Sequence, residues 1–154
     1  MDKIRALFIF EILGKPPEHI TNSLEKMIDE LAKQKGLEIV RREIHEPKII
    51  DNKDDKKEDN ENSLYSTFAE VEVVASDLKL IMAIVLNMLP SHVEILEPTD
   101  FVIKNFDLSG LMTELTLKMH KYDEIAKVLI LERNELLRRL NENHKMVRES
   151  GDER

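Results

Sequence analysis

The sequence reads as an α+β protein: a split βαββαβ antiparallel sheet with both helices on one face, followed by a long C-terminal helix. Three observations lead there. Four short stretches read as strands, and the two between them with an apolar stripe at helical spacing give the order strand, helix, strand, strand, helix, strand. A shared pattern, Glu-Ile-x-Glu-Pro, closes the second strand as Glu43–Pro47 and the fourth as Glu94–Pro98. Beyond Pro98 the chain has no further proline and carries apolar residues every seven positions.

The first strand, Ile4 to Leu13, is a short run rich in Ile and Phe. Phe8, Phe10 and Ile12 face one side, and Leu7, Ile9 and Leu13 face the other beside Glu11. A strand apolar on both faces belongs in the middle of a sheet. Gly14-Lys15-Pro16-Pro17 breaks it and launches a helix, proline being suited to a first helical turn. Ile20, Leu24, Met27, Ile28 and Leu31 then form one stripe, with Gly36 expected as a left-handed cap.

The second strand, Leu37 to about Glu46, is more polar and suits a sheet edge, with Lys48-Ile49-Ile50 as an extension. From Asp51 to Asn62 every residue is Asp, Glu, Lys or Asn, six acids against three lysines, which predicts a mobile solvated loop. It lacks the central glycine and ligand spacing of an EF-hand. In the third strand, Leu64 to Ala75, Ala69, Val71 and Val73 point one way and Glu70 and Glu72 the other. Ser76 is expected to cap a helix from Asp77 to Leu89 that is apolar nearly all round and so buried on more than one side. His92 to Leu96 is the fourth strand, with Phe101-Val102-Ile103 as a continuation beyond Pro98.

The repeated Glu-Ile-x-Glu-Pro has two readings, a duplicated β-α-β unit or coincidence in a chain rich in Glu and Ile. Two interleaved units give the ferredoxin-like arrangement. The tail, with Asp107 as its N-cap, predicts a helix of about 40 residues, or about 60 Å. Leu108, Leu115, Tyr122, Leu129 and Leu136 recur every seven residues, with Met112, Met119, Ala126 and Leu140 between them and Arg133 as a break in the seam. Such a helix should pack partly under the sheet and partly against another chain. The expected organisation is an α+β domain over 1–106 with a disordered acidic loop at 51–63, a helix over 107–149 and a disordered tail at 150–154.

The 154 residues are 42% hydrophobic and 35% charged, with a net charge of −8. That is a folding composition, since enough apolar surface exists to offset chain entropy. A cysteine count of zero excludes disulfides, thiolate metal sites and cysteine nucleophiles. Glu11 interrupts the first apolar run and no cleavage pattern follows, so no signal peptide is expected. The most apolar window, Leu78 to Leu89, is too short to span a bilayer, so a cytoplasmic protein without membrane association is expected. Net negative charge argues against nucleic acid as a partner. Phe8, Phe10 and Phe68 have no basic surround and read as core.

No motif assigns an activity. There is no H-E-x-x-H, no P-loop and no G-x-G-x-x-G, so no metal, cofactor or catalytic residue is expected. Two polar groupings stand out. Glu11, His45 and His92 form a cluster if the sheet brings them together, and Glu11, Glu70 and Glu72 offer paired carboxylates on central strands. Glu11 is the sharper case, because a charge in a buried strand needs a partner.

The first half resembles the ACT-type small-molecule-sensing domains, through Gly14-Lys15-Pro16, Leu31-Ala32 and Gly36-Leu37-Glu38-Ile39. That resemblance implies a ferredoxin-like core, association through sheets and an amino acid bound near the turn Gly14, Lys15, Pro16 and Pro17. The whole chain also looks like an uncharacterised archaeal family, through Leu89-Pro90-Ser91-His92-Val93-Glu94 and Tyr122-Asp123-Glu124-Ile125-Ala126-Lys127, and its composition fits a thermophile. Three functions stay open: a non-enzymatic homo-oligomeric interaction or regulatory module, an ACT-like amino-acid sensor, or a small enzyme using Glu and His. The first implies a second copy paired through Leu115, Tyr122, Leu129 and Leu136, or an unknown protein partner.

Overall fold

The computed structural model describes residues 3–50, 63–100 and 102–151, with the side chains of 145–151 left aside. Two compact units divide at Lys104 and Asn105. The first holds β1 (Ile4–Gly14), α1 (Pro17–Ala32), β2 (Leu37–Ile44), β3 (Lys48–Ile49), β4 (Tyr65–Ala75), α2 (Leu78–Met88) and β5 (His92–Glu97); the second is α3 (Asn105–Gly151).

The sheet runs β2-β4-β1-β5, with β3 paired to β4, and every pairing is antiparallel. The β1–α1–β2 unit therefore straddles β4, and the β4–α2–β5 unit straddles β1. This interleaving is the split β-α-β arrangement expected from the element order. The doubly apolar β1 is central and the polar β2 lies at an edge, with a bulge at Val40.

Alternation decides which side chains meet the helices. Ile4, Ala6, Phe8 and Phe10 of β1 and Ala69, Val71, Val73 and Ala75 of β4 are buried. Against them α1 buries Ile20, Leu24, Ile28 and Leu31, one stripe at helical spacing. Ile81 and Ile84 of α2 complete the same cluster. Each such aliphatic side chain contributes about 1.5–3 kcal/mol of burial. Leu86, on the opposite side of α2, is also buried, as a helix apolar all round requires.

Several boundaries differ from expectation. The cap of α2 is Asp77, whose carboxylate accepts from the Leu80 N–H at 2.9 Å, while the Ser76 hydroxyl donates to Asp77. Ser76 still belongs to the sheet edge, its N–H bonded to the Gly36 carbonyl. Helix α1 ends at Ala32 with Lys33 as its cap; Gly36, at φ +86°, serves the turn beyond, where a Cβ would sit 2.7 Å from the Ser76 hydroxyl. After Pro47 the chain re-enters the sheet as the separate β3. Val102 and Ile103 do not continue β5, and Phe101 lies outside the described residues. Helix α3 starts at Asn105, which puts Asp107 inside its first turn, where its charge suits the dipole. The loop 51–62 and residues 152–154 lie outside the described residues.

Candidate functional site

Arg5, Leu7, Ile9, Glu11 and Leu13 of β1 share the sheet face turned away from α1 and α2. Register builds this face in rows. Glu43 of β2, Glu70 of β4, Ile9 of β1 and His92 of β5 stand side by side, and Arg41, Glu72, Leu7 and Glu94 form the next row. His45 adjoins Phe68, bonding its carbonyl at 2.9 Å, and Phe68 in turn pairs with Glu11.

The densest polar group is at the β2–β4 edge. Arg41 Nη2 donates to Glu43 Oε2 and Glu70 Oε2, each at 3.1 Å. The His45 ring stacks on Phe68, centroids 4.0 Å apart, and its Nε2 lies 3.6 Å from Glu70 Oε1. That nitrogen is shut off from solvent and has no hydrogen-bond partner, although a third of the side chain is exposed. Glu43, His45 and Glu70 each offer one ligand atom within 4.8 Å of the others, an imidazole–carboxylate set of the kind divalent transition metals accept. Arg41 already occupies the space between the two carboxylates, so a metal ion would have to displace its guanidinium. Arg41 thus ties the two carboxylates into one ion-pair network, with the His45 ring beside it.

A second network lies toward the other end of the face. Arg5 Nε donates to Glu72 across the β1–β4 pair, and its Nη1 lies 3.6 Å from Glu97 on β5. The Glu72 side chain is only 12% exposed and accepts its hydrogen bond from Arg5. Arg5→Ala should cost about 1–3 kcal/mol, the penalty of a largely buried carboxylate left without its partner. Chemical denaturation checks this; Arg42→Ala, which breaks an open pair with Asp29, should change stability by under about 1 kcal/mol.

Glu11, His45 and His92 share the open face, but separate strands hold them apart. Glu11 is not buried: it is exposed and accepts from the Ser66 hydroxyl at 2.8 Å. His92 sits on β5, three strands from His45, a lateral distance of about 14 Å. The paired carboxylates separate too, Glu70 going to Arg41, Glu72 to Arg5 and Glu11 to Ser66. What the sheet joins instead is Glu43, His45 and Glu70. The i, i+2 spacing of Glu43 and His45 was the available signal, while their partner depended on the β2–β4 register.

At the turn Gly14 to Pro17 the chain passes from β1 into α1. The Pro16 carbonyl accepts from the His19 and Ile20 N–H groups, and a Cβ on Gly14 would lie 2.8 Å from Ile20 Cγ2. Gly14→Ala should therefore destabilise the protein by about 1–3 kcal/mol, because buried Ile20 has little room to yield. A thermal melt reads this directly. A groove of about 350 Å³ lies elsewhere on this unit, lined by Lys26, Met27, Glu30, Leu31, Gln34 and Met88.

Helix α3 has a different character. Its heptad residues are open to solvent: Leu115 is 43% exposed, Tyr122 39%, Leu129 58% and Leu136 60%. Met112, Met119 and Leu140 are exposed as well, whereas Leu111 is buried. Several charges along the helix are paired within it. Glu135 accepts from Arg138 and Arg139, and these bonds hold its carboxyl down at about 2; Arg138 is correspondingly raised. A depressed carboxyl favours the helix above its ordinary range, and that contribution fades as pH falls from 4.5 toward 2. Lys127 pairs with Asp123 one turn away. Beside these pairs the helix carries its leucines exposed. Among the described residues, no helix is long and apolar enough to cross a membrane.

No curated protein and no solved structure matches the chain. A family model does, over residues 5–144, which takes in β1 and most of α3. By that match the chain belongs to the MJ0538 family, an uncharacterised family named after a Methanocaldococcus protein.

Proposed function

We propose that this protein is a non-enzymatic homo-oligomeric module whose copies associate through α3. One observation carries the reading: a helix of 47 residues presents leucine, tyrosine and methionine to solvent in a seven-residue repeat. Isolated apolar residues on a surface are ordinary, but a continuous stripe is an interaction site. A seven-residue repeat matches another helix of the same repeat, and a second copy supplies one at equal concentration. The open sheet face argues the same way, because Glu43 and Glu70 are held by Arg41 and Glu72 by Arg5 rather than poised for proton transfer.

Light scattering on the full chain at micromolar concentration tests the reading. A mass at a multiple of 18.0 kDa is expected, and a monodisperse monomer would overturn it. An ACT-type sensor is the second reading, favoured by the β2-β4-β1-β5 order that the resemblance implies. It requires an amino acid to raise the melting temperature, and Gly14, Lys15, Pro16 and Pro17 are where such a ligand would bind.

A further inference from the structure

We infer that two copies of α3 pair antiparallel, with Tyr122 of each helix facing Arg133 of the other. This inference rests on the proposed self-association and adds its direction and register. Past its first turns at Leu108 and Met112, the seam consists of Leu115, Tyr122, Leu129 and Leu136, with Met119, Ala126, Arg133 and Leu140 each four residues further on. In a parallel, in-register pair every seam residue meets its own copy. Arg133 would then face Arg133, two guanidinium groups meeting in a seam that excludes water, and Ala126 would face Ala126, leaving a void near the middle.

Reversing one helix removes both faults. Ala126 meets the partner's Leu129, small against large, and the two central layers interdigitate. Arg133 meets the partner's Tyr122, whose ring accepts a guanidinium plane as a cation–π and stacking partner. The Arg133 side chain is free to make this contact: its recorded bond is to the neighbouring Asn134 at 3.1 Å on an exposed surface. Met119 then lies against the partner's Leu136, and Leu115 against the partner's Leu140. From Leu115 to Leu140 every layer has an apolar group on both sides except the two symmetry-related layers that hold a Tyr122 ring against Arg133.

One further feature agrees. The layers from Leu115 to Leu140 centre between Lys127 and Val128, close to the middle of Asn105–Gly151, so reversed helices overlap along nearly their whole length. Beside the seam at that centre stand Ile125 and Ile130, each about half exposed, together with Asp123 and Glu132. Toward the ends those positions carry Lys118 and Arg139. Within its own helix Lys118 lies 5.8 Å from the Tyr122 ring centroid, and Arg139 donates to Glu135 at 2.8 Å.

The absence of native cysteine makes the test clean, because one introduced thiol per chain is unique. Leu115→Cys and Leu140→Cys are prepared separately on the full chain, both at solvent-exposed positions where substitution leaves the monomer's packing alone. Each is oxidised alone, and then the two are mixed, exchanged and oxidised together. Antiparallel pairing gives a disulfide-linked dimer in the mixture and little in either variant alone. Parallel pairing gives linked dimer in each variant alone, which would overturn the inference while leaving self-association standing. An associated protein that links in neither arrangement would overturn the register. Light scattering on the same samples separates the two levels, since a monomeric mass would overturn the proposed function with it.

Discussion

Leu129→Glu should return the protein to a monomer at concentrations where the native chain is associated, and Leu136→Glu should do the same. Both side chains are more than half exposed in the single chain, so neither substitution removes packing from the monomer. In the associated state each leucine loses its contact with water, a gain of about 1.5–3 kcal/mol per side chain. A two-fold interface contains every position twice, so one substitution removes the gain twice over. Glutamate adds the cost of carrying a charge into an apolar seam. The loss totals at least about 3–6 kcal/mol, which weakens association by two to four orders of magnitude at about 1.4 kcal/mol per factor of ten. The mass from light scattering reads the outcome, and helix content by circular dichroism separates dissociation from unfolding. An unchanged mass in both variants would remove α3 from the interface.

Phe8→Ala should produce the largest loss of stability in the first unit. Phe8 is completely buried, stacks on Phe10 with ring centroids 5.9 Å apart, and lies on the central strand between β4 and β5. Its neighbours across the sheet, Val71 and Val93, are held by strand pairing and cannot collapse into the space. Truncations of this type cost about 3–5 kcal/mol, a large share of the roughly 5–15 kcal/mol that keeps a domain folded. Urea denaturation should show a lower midpoint at unchanged slope. Leu13→Ala is the comparison: on the other face of β1, at 57% exposure, it should cost under about 1 kcal/mol.

The features legible in the sequence were those set by periodicity within one segment. The two apolar faces of Ile4 to Leu13 placed β1 in the sheet centre, and the stripe from Ile20 to Leu31 oriented α1. The polar edge strand and the long tail helix followed from the same reasoning. Features set between segments were harder to see. Glu43, His45 and Glu70 meet through the β2–β4 register, and twenty residues lie between Ile44 and Tyr65. A tight two-residue turn would have fixed that register from sequence, but a connection of this length does not. Glu11 misled for a related reason. Period two says which residues share a face, but not which face the helices cover. Ser76 and Asp77 are both good capping residues side by side, and propensity does not choose between them.

The position of β1 has a consequence for how the protein is made. It leaves the ribosome before either strand it pairs with, β4 following more than fifty residues later and β5 later still. Until they emerge, Phe8 and Phe10 have only α1 to shelter against, and the backbone of β1 has no sheet partner on either side. Contacts so distant in sequence form slowly, and unpaired apolar strands recruit one another. Chains arrested before His92 should therefore sediment with their ribosomes in aggregates or be held by chaperones, whereas chains released past Glu97 should be soluble. The strand that begins the sequence is the one whose folding must wait for nearly all of the sheet.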